Sequence, residues 1–270
     1  MLKTQVSGSN SKHKGCPMAF KFCEQHISNY YHHGYTVLKG ILPPSLIEDL
    51  RQVMDQVAEI ARKKNGPQVQ RFQPLGALED DLDFGPIKNY MELPDINDAV
   101  KKILSPRHEI VGLPSMAILI EPLEQPWCTS WHRDITEHSN GVDPEEFRRL
   151  TLDHTFFTQV NCALYTDVCT WYVPGSDGRP DLPGELEAAK QRPDLEGKTA
   201  TEAERSCLEF CQSMPGAVQL ILESGDYCLY RPNAWHIGNY APYRKRASIH
   251  DSVWKPETRE WYDRWSDYRV

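Results

Sequence analysis

His132 and Asp134 stand two positions apart in TSWHRDIT, residues 129–136. In an extended strand such positions share a face. An imidazole and a carboxylate would then aim at one point, which is ligand chemistry for a divalent metal. Ten histidines and 18 aspartates in 270 residues would give roughly 0.7 such pairs by chance, so the pair needs a partner from elsewhere. His108, His138, His154, His236 and His250 lie within or after the strand-rich part of the chain. His236, in RPNAWHIGNY just after the strand-like DYCLYR, is the best placed. The competing reading makes it a core or loop histidine bonded locally. Two imidazoles and one carboxylate on one face of an iron leave three adjacent positions open, the arrangement used by oxygen-activating non-heme Fe(II) enzymes. Ten residues further on, Arg246 and Ser248 share a face if RASIHDSVW is a strand. A guanidinium and a hydroxyl could then converge on one carboxylate. The plainer alternative is an exposed basic run, Arg244-Lys245-Arg246.

These side chains need a frame. A short helix near 19–33 should end at Gly34 as a left-handed cap. GYTVLKGIL reads as a strand. PPSLIEDLRQVMDQVAEIARKK reads as an amphipathic helix, with a Ser45–Glu48 capping box and a stripe of Leu46, Leu50, Val53, Val57 and Ile60. The stretch 65–85 is polar and turn-rich, and a second helix is expected near 94–104. From residue 110 the texture changes. SMAILIEP, CTSWHRDIT, FFTQVNCALYTD, TWYVP, AVQLILES, DYCLYR and RASIHDSVW are strand candidates separated by turn residues. Two inserts interrupt them: 137–154, with a short helix, and 176–213, with a helix around 200–212. Trp261, Trp265 and Tyr268 recur at helical spacing near the end, as a packed aromatic stripe would. Helices followed by many short strands predict an α+β protein with a mainly β core, a double-stranded β-helix or jelly roll of the cupin kind. The expected plan is a disordered tail over 1–17 and one domain over 18–270. Within it, a helical part spans about 18–108, the jelly roll about 110–255 and an aromatic helix about 256–268.

Composition narrows the partners. A formal charge of −8 and a pI of about 5.7 argue against nucleic acid, which usually needs a basic face. No stretch approaches the roughly 18–20 consecutive apolar residues of a membrane span. The expected partner is a small molecule. None of the eight cysteines forms a C-x-x-C, and the polar opening MLKTQVSGSNSKHKG lacks the apolar core of a secretory leader. Reduced thiols and a cytoplasmic location are expected. Cys207 and Cys211, four apart on a predicted helix, suit packing better than metal binding, since no further ligand lies near them in sequence.

The order of motifs is more telling than any one of them. H-x-D is followed by ALYTD…TWYVPGS, by GDYCLY at 225–230, then by His236 and R-x-S. With the opening YHHGYTVLKGILPPSLIEDL, this resembles the phytanoyl-CoA dioxygenase family of Fe(II)- and 2-oxoglutarate-dependent oxygenases, over roughly residues 22–255. The resemblance implies that His132, Asp134 and His236 hold the iron. It also implies that Arg246, assisted by Ser248, holds the distal carboxylate of 2-oxoglutarate, with Arg244 as the fallback if the register shifts by two. Gln159, Asn161 and Tyr165 alternate along the strand after H-x-D; they would line the same cavity or be ordinary interior polar residues.

By the same resemblance, Fe(II), 2-oxoglutarate and O2 would together oxidise an unactivated C–H bond, releasing succinate and CO2. Halogenating relatives lack the carboxylate ligand, so Asp134 points to hydroxylation, or to dealkylation, desaturation or ring closure following from it. The two inserts would sit near the mouth of the barrel as a lid. With no evident basic cluster for a CoA phosphate, they favour a polar natural product or amino-acid-derived metabolite over a fatty acyl-CoA. Two other classes compete: a zinc-dependent hydrolase using the same His/Asp/His site, and a non-catalytic cupin-like binding protein.

Overall fold

Gly34 ends the first helix, α1 (Glu24–His33), in the computed structural model, which describes residues 20–266. The expected tail over 1–17 and Tyr268 lie outside the described residues. Gly34 takes φ 77°, with its N–H bonded to Tyr30 O at 2.9 Å. Close approach also demands glycine here: a Cβ would fall 2.3 Å from Asp177 Oδ1 and 2.6 Å from the Tyr172 hydroxyl. β1 (Tyr35–Leu38) leads to α2 (Pro44–Asn65). The Ser45–Glu48 capping box does not form. Pro43 is the N-cap and Pro44 starts the helix with its φ already set, leaving Ser45 one residue inside. The stripe is as expected, with Leu46, Leu50, Val53 and Val57 buried and Ile60 half-buried.

The turn-rich stretch after α2 also holds β2 (Arg71–Phe72), only two residues long. Then come α3 (Gly85–Met91), α4 (Pro94–Ile103), β3 (Glu109–Ile110), β4 (Ala117–Ile120) and β5 (Trp127–Cys128). α5 (Pro144–Thr151), β6 (Gln159–Ala163), β7 (Thr170–Tyr172), α6 (Pro183–Lys190) and α7 (Ala200–Ser213) follow. The chain ends through β8 (Val218–Gln219), β9 (Tyr227–Tyr230), β10 (His236–Tyr240), β11 (Ala247–Trp254) and α8 (Pro256–Ser266). Seven strands make one antiparallel sheet in the order β1-β9-β6-β11-β4-β2, with β3 on the far end of β11. The other four pair as β5-β10-β7-β8. This is the double-stranded β-helix predicted from the strand pattern.

Strand alternation sorts the larger sheet into two chemistries. Phe72, Ile118, Val160, Cys162, Leu229 and Ile249 point outward and form one core with α2, α3 and α4. Their immediate neighbours Arg71, Leu119, Gln159, Asn161, Tyr230 and His250 line a cavity on the opposite face.

Among the described residues, none of 137–154 or 176–213 lines that cavity, and the longer helices of the inserts pack away from it. α7 buries Ala203, Cys207, Phe210 and Cys211. The last three pack with Trp171, Trp235 and Ile237, on the outer face of the smaller sheet. Cys207 and Cys211 are thus packing residues. α5 likewise packs Phe147 and Leu150 against Trp261 and Trp265 of α8. An amphipathic helix next to an open sheet face covers it, since burying both apolar surfaces is the larger gain.

Candidate active site

Of CTSWHRDIT only Cys128 belongs to a strand, the end of β5; His132 makes an isolated bridge to His236, and Asp134 lies in a bend. His132 and Asp134 are therefore not brought together by strand alternation, contrary to expectation. What joins the two histidines is backbone pairing: His132 N–H donates to His236 O at 3.1 Å and His236 N–H to His132 O at 3.0 Å. The bend is held by Asp134 N–H donating to Pro232 O at 3.0 Å, which carries the carboxylate back toward both rings. His236 itself opens β10, a strand absent from the candidates that the sequence offers.

Each imidazole is oriented from behind. His132 Nδ1 donates to Ser130 O at 2.7 Å and His236 Nδ1 to Ala234 O at 2.9 Å. A carbonyl can only accept, so Nδ1 carries a proton on both rings, which leaves Nε2 as the nitrogen turned toward a metal. Those Nε2 atoms lie 3.4 and 3.5 Å from Asp134 Oδ1. The three ligand atoms sit within 4.8 Å of one another. Asp134 Oδ2 is taken by Gln159 Nε2 at 2.6 Å, and Gln159 Oε1 accepts from the Tyr230 hydroxyl at 2.8 Å. One carboxylate oxygen is thus tied to the protein and the other is free for a cation.

Electrostatics agree with that division. Burial disfavours the charge of Asp134, yet the two imidazoles outweigh it and hold its carboxyl well below the usual range. Burial also opposes a charge on His132, but the Asp134 carboxylate raises it above the ordinary histidine value. Two imidazole nitrogens and one carboxylate oxygen are the donor set and spacing that suit Fe(II) with three positions open.

The cavity has a volume of about 160 Å³ and lies on the inner face of the larger sheet. Arg246 lines it, almost fully buried. Its Nε donates to Asp167 Oδ2 at 2.8 Å, and its guanidinium lies 5.1 Å from the Tyr240 ring centroid. Gly238 leaves room for that ring: a Cβ there would come within 2.7 Å of it. Arg246 Nη1 is buried and has no hydrogen-bond partner among the described residues. A buried guanidinium nitrogen without a partner is costly unless a ligand satisfies it. A carboxylate of 2-oxoglutarate fits that need.

Several expected site residues sit elsewhere. Ser248 is fully buried and its hydroxyl donates to Asp167 Oδ2 at 2.5 Å, so it braces Asp167 and does not line the cavity. Arg244 is exposed in the turn before β11, beside Tyr243, and is no substitute for Arg246. Tyr165 lies two residues beyond the end of β6, where alternation no longer applies, and packs outside the cavity between Arg51 and Lys245. Gln159 and Asn161 do line the cavity. Gln159 is spent on Asp134, and Asn161 Oδ1 accepts from His250 Nδ1 at 2.9 Å.

Jelly rolls with such a donor set between their sheets are the home of non-heme iron oxygenases, and the comparisons with known proteins fall in that class. The family pattern of phytanoyl-CoA dioxygenase (PhyH) matches residues 30–239, and the chain belongs to this family. It is a non-heme iron oxidoreductase that uses Fe(II), 2-oxoglutarate and O2. No curated protein matches it in sequence. Among solved structures, AviO1 from Streptomyces viridochromogenes Tue57 is 13% identical, with a TM-score of 0.57 over 86% of this chain and 94% of its own. EctD from S. alaskensis, solved with bound Fe, is 14% identical at TM-score 0.55 over 91% and 80%. The α-ketoglutarate-dependent epimerase SnoN from nogalamycin biosynthesis is 14% identical at TM-score 0.53 over 86% and 82%. At these identities the likeness is one of fold.

Four residues of this neighbourhood escaped the sequence reading. Asp167 closes the strand candidate FFTQVNCALYTD, and nothing in the sequence pairs it with Arg246, 79 positions on. Tyr230 closed a strand whose inner face was not assigned. Arg71 lies on a two-residue strand, too short for any periodicity. His250 stood only as a spare ligand.

Proposed function

We propose that this oxygenase holds Fe(II) through His132 Nε2, His236 Nε2 and Asp134 Oδ1, and the distal carboxylate of 2-oxoglutarate at Arg246. The observation that carries this reading is the meeting of those three ligand atoms within 4.8 Å, each oriented by a hydrogen bond on its far side. Iron with 2-oxoglutarate and O2 supplies an oxidant for an unactivated C–H bond, with succinate and CO2 as co-products. The chain's own work is to position. Ser130 O and Ala234 O keep the imidazoles in the ligand tautomer. Gln159, itself held by Tyr230, keeps Asp134 to one free oxygen. Asp167 and Tyr240 aim Arg246, whose Nη1 is left for the co-substrate.

The substrate is a small polar metabolite, a natural product or amino-acid derivative, and the outcome is hydroxylation or a dealkylation, desaturation or ring closure that follows from it. A cavity of about 160 Å³ supports a compact molecule over a long acyl chain. The similar structures SnoN and SnoK, an epimerase and a carbocyclase of nogalamycin biosynthesis, support a biosynthetic setting. Free thiols at Cys128, Cys162, Cys169, Cys207, Cys211 and Cys228 suit a reducing compartment, and we place the protein in the cytoplasm. The direct test is succinate release under Fe(II) and air, stimulated by members of a metabolite panel. Failure of the wild-type protein to bind Fe(II), or loss of neither binding nor turnover in His236→Ala, would overturn the ligand assignment.

A further inference from the structure

The cavity holds a second guanidinium. Resting on the oxygenase reading above, we propose that Arg71 recognises a carboxylate on the substrate, so that the substrates of this enzyme are small organic acids.

The placement of Arg71 follows from β2. Phe72 points into the core under the helices, so its neighbour Arg71 must point to the other face of the sheet. In register, Arg71 stands opposite Leu119, and Leu119 opposite Ser248, which sets the three side by side on the cavity face. The short strand is fastened at both ends: Ile120 N–H donates to Gln70 O, and Leu75 N–H to Met116 O, each at 2.9 Å. The guanidinium therefore rises from a fixed base.

Arg71 lines the same cavity as His132, Asp134, His236 and Arg246. It differs from Arg246 in two ways. Arg246 is buried and already paired with Asp167, whereas Arg71 is exposed and makes no hydrogen bond or ion pair among the described residues. Its charge is nonetheless felt inside. Burial keeps His250 neutral first, and Arg71 is the next largest contributor in the same direction. The acidic groups within reach are committed, Asp134 to the two imidazoles and Gln159, Asp167 to Arg246 and Ser248.

An unpaired planar guanidinium at the open side of a site is a fork for an oxyanion. 2-Oxoglutarate does not need it, because its two carboxylates are placed at the metal and at Arg246. The remaining anion is the substrate's. A carboxylate gripped at Arg71 would fix which carbon of a small acid faces the metal, since the anchor and the ligands line one narrow cavity.

The test uses the full chain loaded anaerobically with Fe(II) and 2-oxoglutarate, and a panel of small carboxylic acids, each paired with its primary amide. Binding is read by calorimetry in loaded and metal-free protein. At least one acid should bind about tenfold or more tightly than its amide, and Arg71→Gln should erase that preference. Arg71→Lys should restore part of it. The 2-oxoglutarate titration, followed by the metal-to-ligand charge-transfer band, should stay within about twofold of wild type in both variants. Three results would overturn the proposal: a panel in which no acid outbinds its amide, a 2-oxoglutarate titration weakened about tenfold by Arg71→Gln, or adenosine 3′,5′-bisphosphate binding at Arg71 more tightly than every acid. The second would give Arg71 to the co-substrate and the third to a CoA-like phosphate. If the wild type bound neither Fe(II) nor 2-oxoglutarate, the oxygenase reading would fall, while the acid–amide comparison in metal-free protein would still decide Arg71.

Discussion

Val160 and Gln159 are neighbours on one strand, yet they belong to different economies of the molecule. Val160 faces the helices with Leu229 and Ile249, in a core built almost entirely of apolar side chains. Gln159 faces the cavity with Asn161, Tyr230 and His250, all polar and most of them buried. A buried polar group is tolerated when its hydrogen bonds are made. Here almost all are: Gln159 to Asp134 and Tyr230, Asn161 to His250, Asp167 to Arg246 and Ser248. The exceptions carry information. Among the described residues, Arg246 Nη1 is buried without a partner, and the Arg71 guanidinium is charged without one. The outer face stabilises the sheet, while the inner face stores ligand capacity, and substitutions on the two should separate stability from binding.

The largest separation is expected at the proposed ligands. Asp134→Ala, His132→Ala and His236→Ala should each lose more Fe(II) affinity than the roughly 10- to 100-fold typical of losing a residue that merely supports a ligand. Succinate formation should fall with it, while the melting temperature changes little. Ile249→Ala, on the outer face, should do the reverse, costing about 2–5 kcal/mol of stability and leaving Fe(II) affinity intact in the folded fraction. Metal titration alongside thermal unfolding reads both. An Ile249→Ala protein that is stable but unable to bind iron would break the comparison.

Arg246 is next, because it belongs to both economies. Arg246→Ala should weaken 2-oxoglutarate by at least about 30-fold, the lower end of what breaking a buried ion pair costs. It also strands Asp167, whose carboxyl burial disfavours and Arg246 holds below the usual range. Stability should therefore fall too, by about 3–5 kcal/mol. Arg246→Lys should recover only part of the affinity, since an ammonium has no planar fork. An unchanged anaerobic 2-oxoglutarate titration for Arg246→Ala would remove it from the site.

A smaller effect tests the inner face by pH. Burial, and then Arg71, lower the His250 pKa to about 3. The unfolded chain takes up a proton at His250 near its ordinary value of about 6.5, while the folded protein does not until pH nears 3. Between those values the unfolded state holds the extra proton, so stability falls as pH falls, by at most about 1.4 kcal/mol per unit. His250→Gln should flatten that part of the acid limb in metal-free protein. An acid limb identical to wild type would mean that His250 is not held neutral.

Legibility in the sequence followed the same division. Long periodic elements were readable: the α2 stripe, the strand series and the Gly34 cap all depend on local pattern. The three proposed ligand residues stand out by type and order, but the reason they converge does not. It depends on a bend at Asp134 and a long-range backbone bridge between His132 and His236, about a hundred residues apart. β10 was hidden because HIGNY contains Gly and Asn, which read as turn. The packing of α7 on the smaller sheet is hard to read, because its apolar face of Ala203, Cys207, Phe210 and Cys211 is small and sulfur-rich beside its charges. Ser248 was given to the co-substrate because alternation locates a face without naming what already occupies it.

The finest test returns to the strand. Tyr230 donates to Gln159 Oε1, which obliges Gln159 to turn its amide nitrogen toward Asp134 Oδ2. Gln159→Leu removes the donor and leaves Asp134 free to rotate or to offer both oxygens. Fe(II) affinity, measured by competition with a chelator, should fall about 10- to 100-fold. Tyr230→Phe removes only the hold on the amide, so its cost should be that of one hydrogen bond, about 2- to 10-fold. Combined, the two should cost little more than Gln159→Leu alone, because they act through one contact. Val160→Ala, one position along, should leave Fe(II) affinity unchanged while costing about 2 kcal/mol of stability. Equal Fe(II) affinity in Gln159→Leu and wild type would show that Asp134 keeps its posture unaided, and that Gln159 is an interior polar residue of no consequence to the metal.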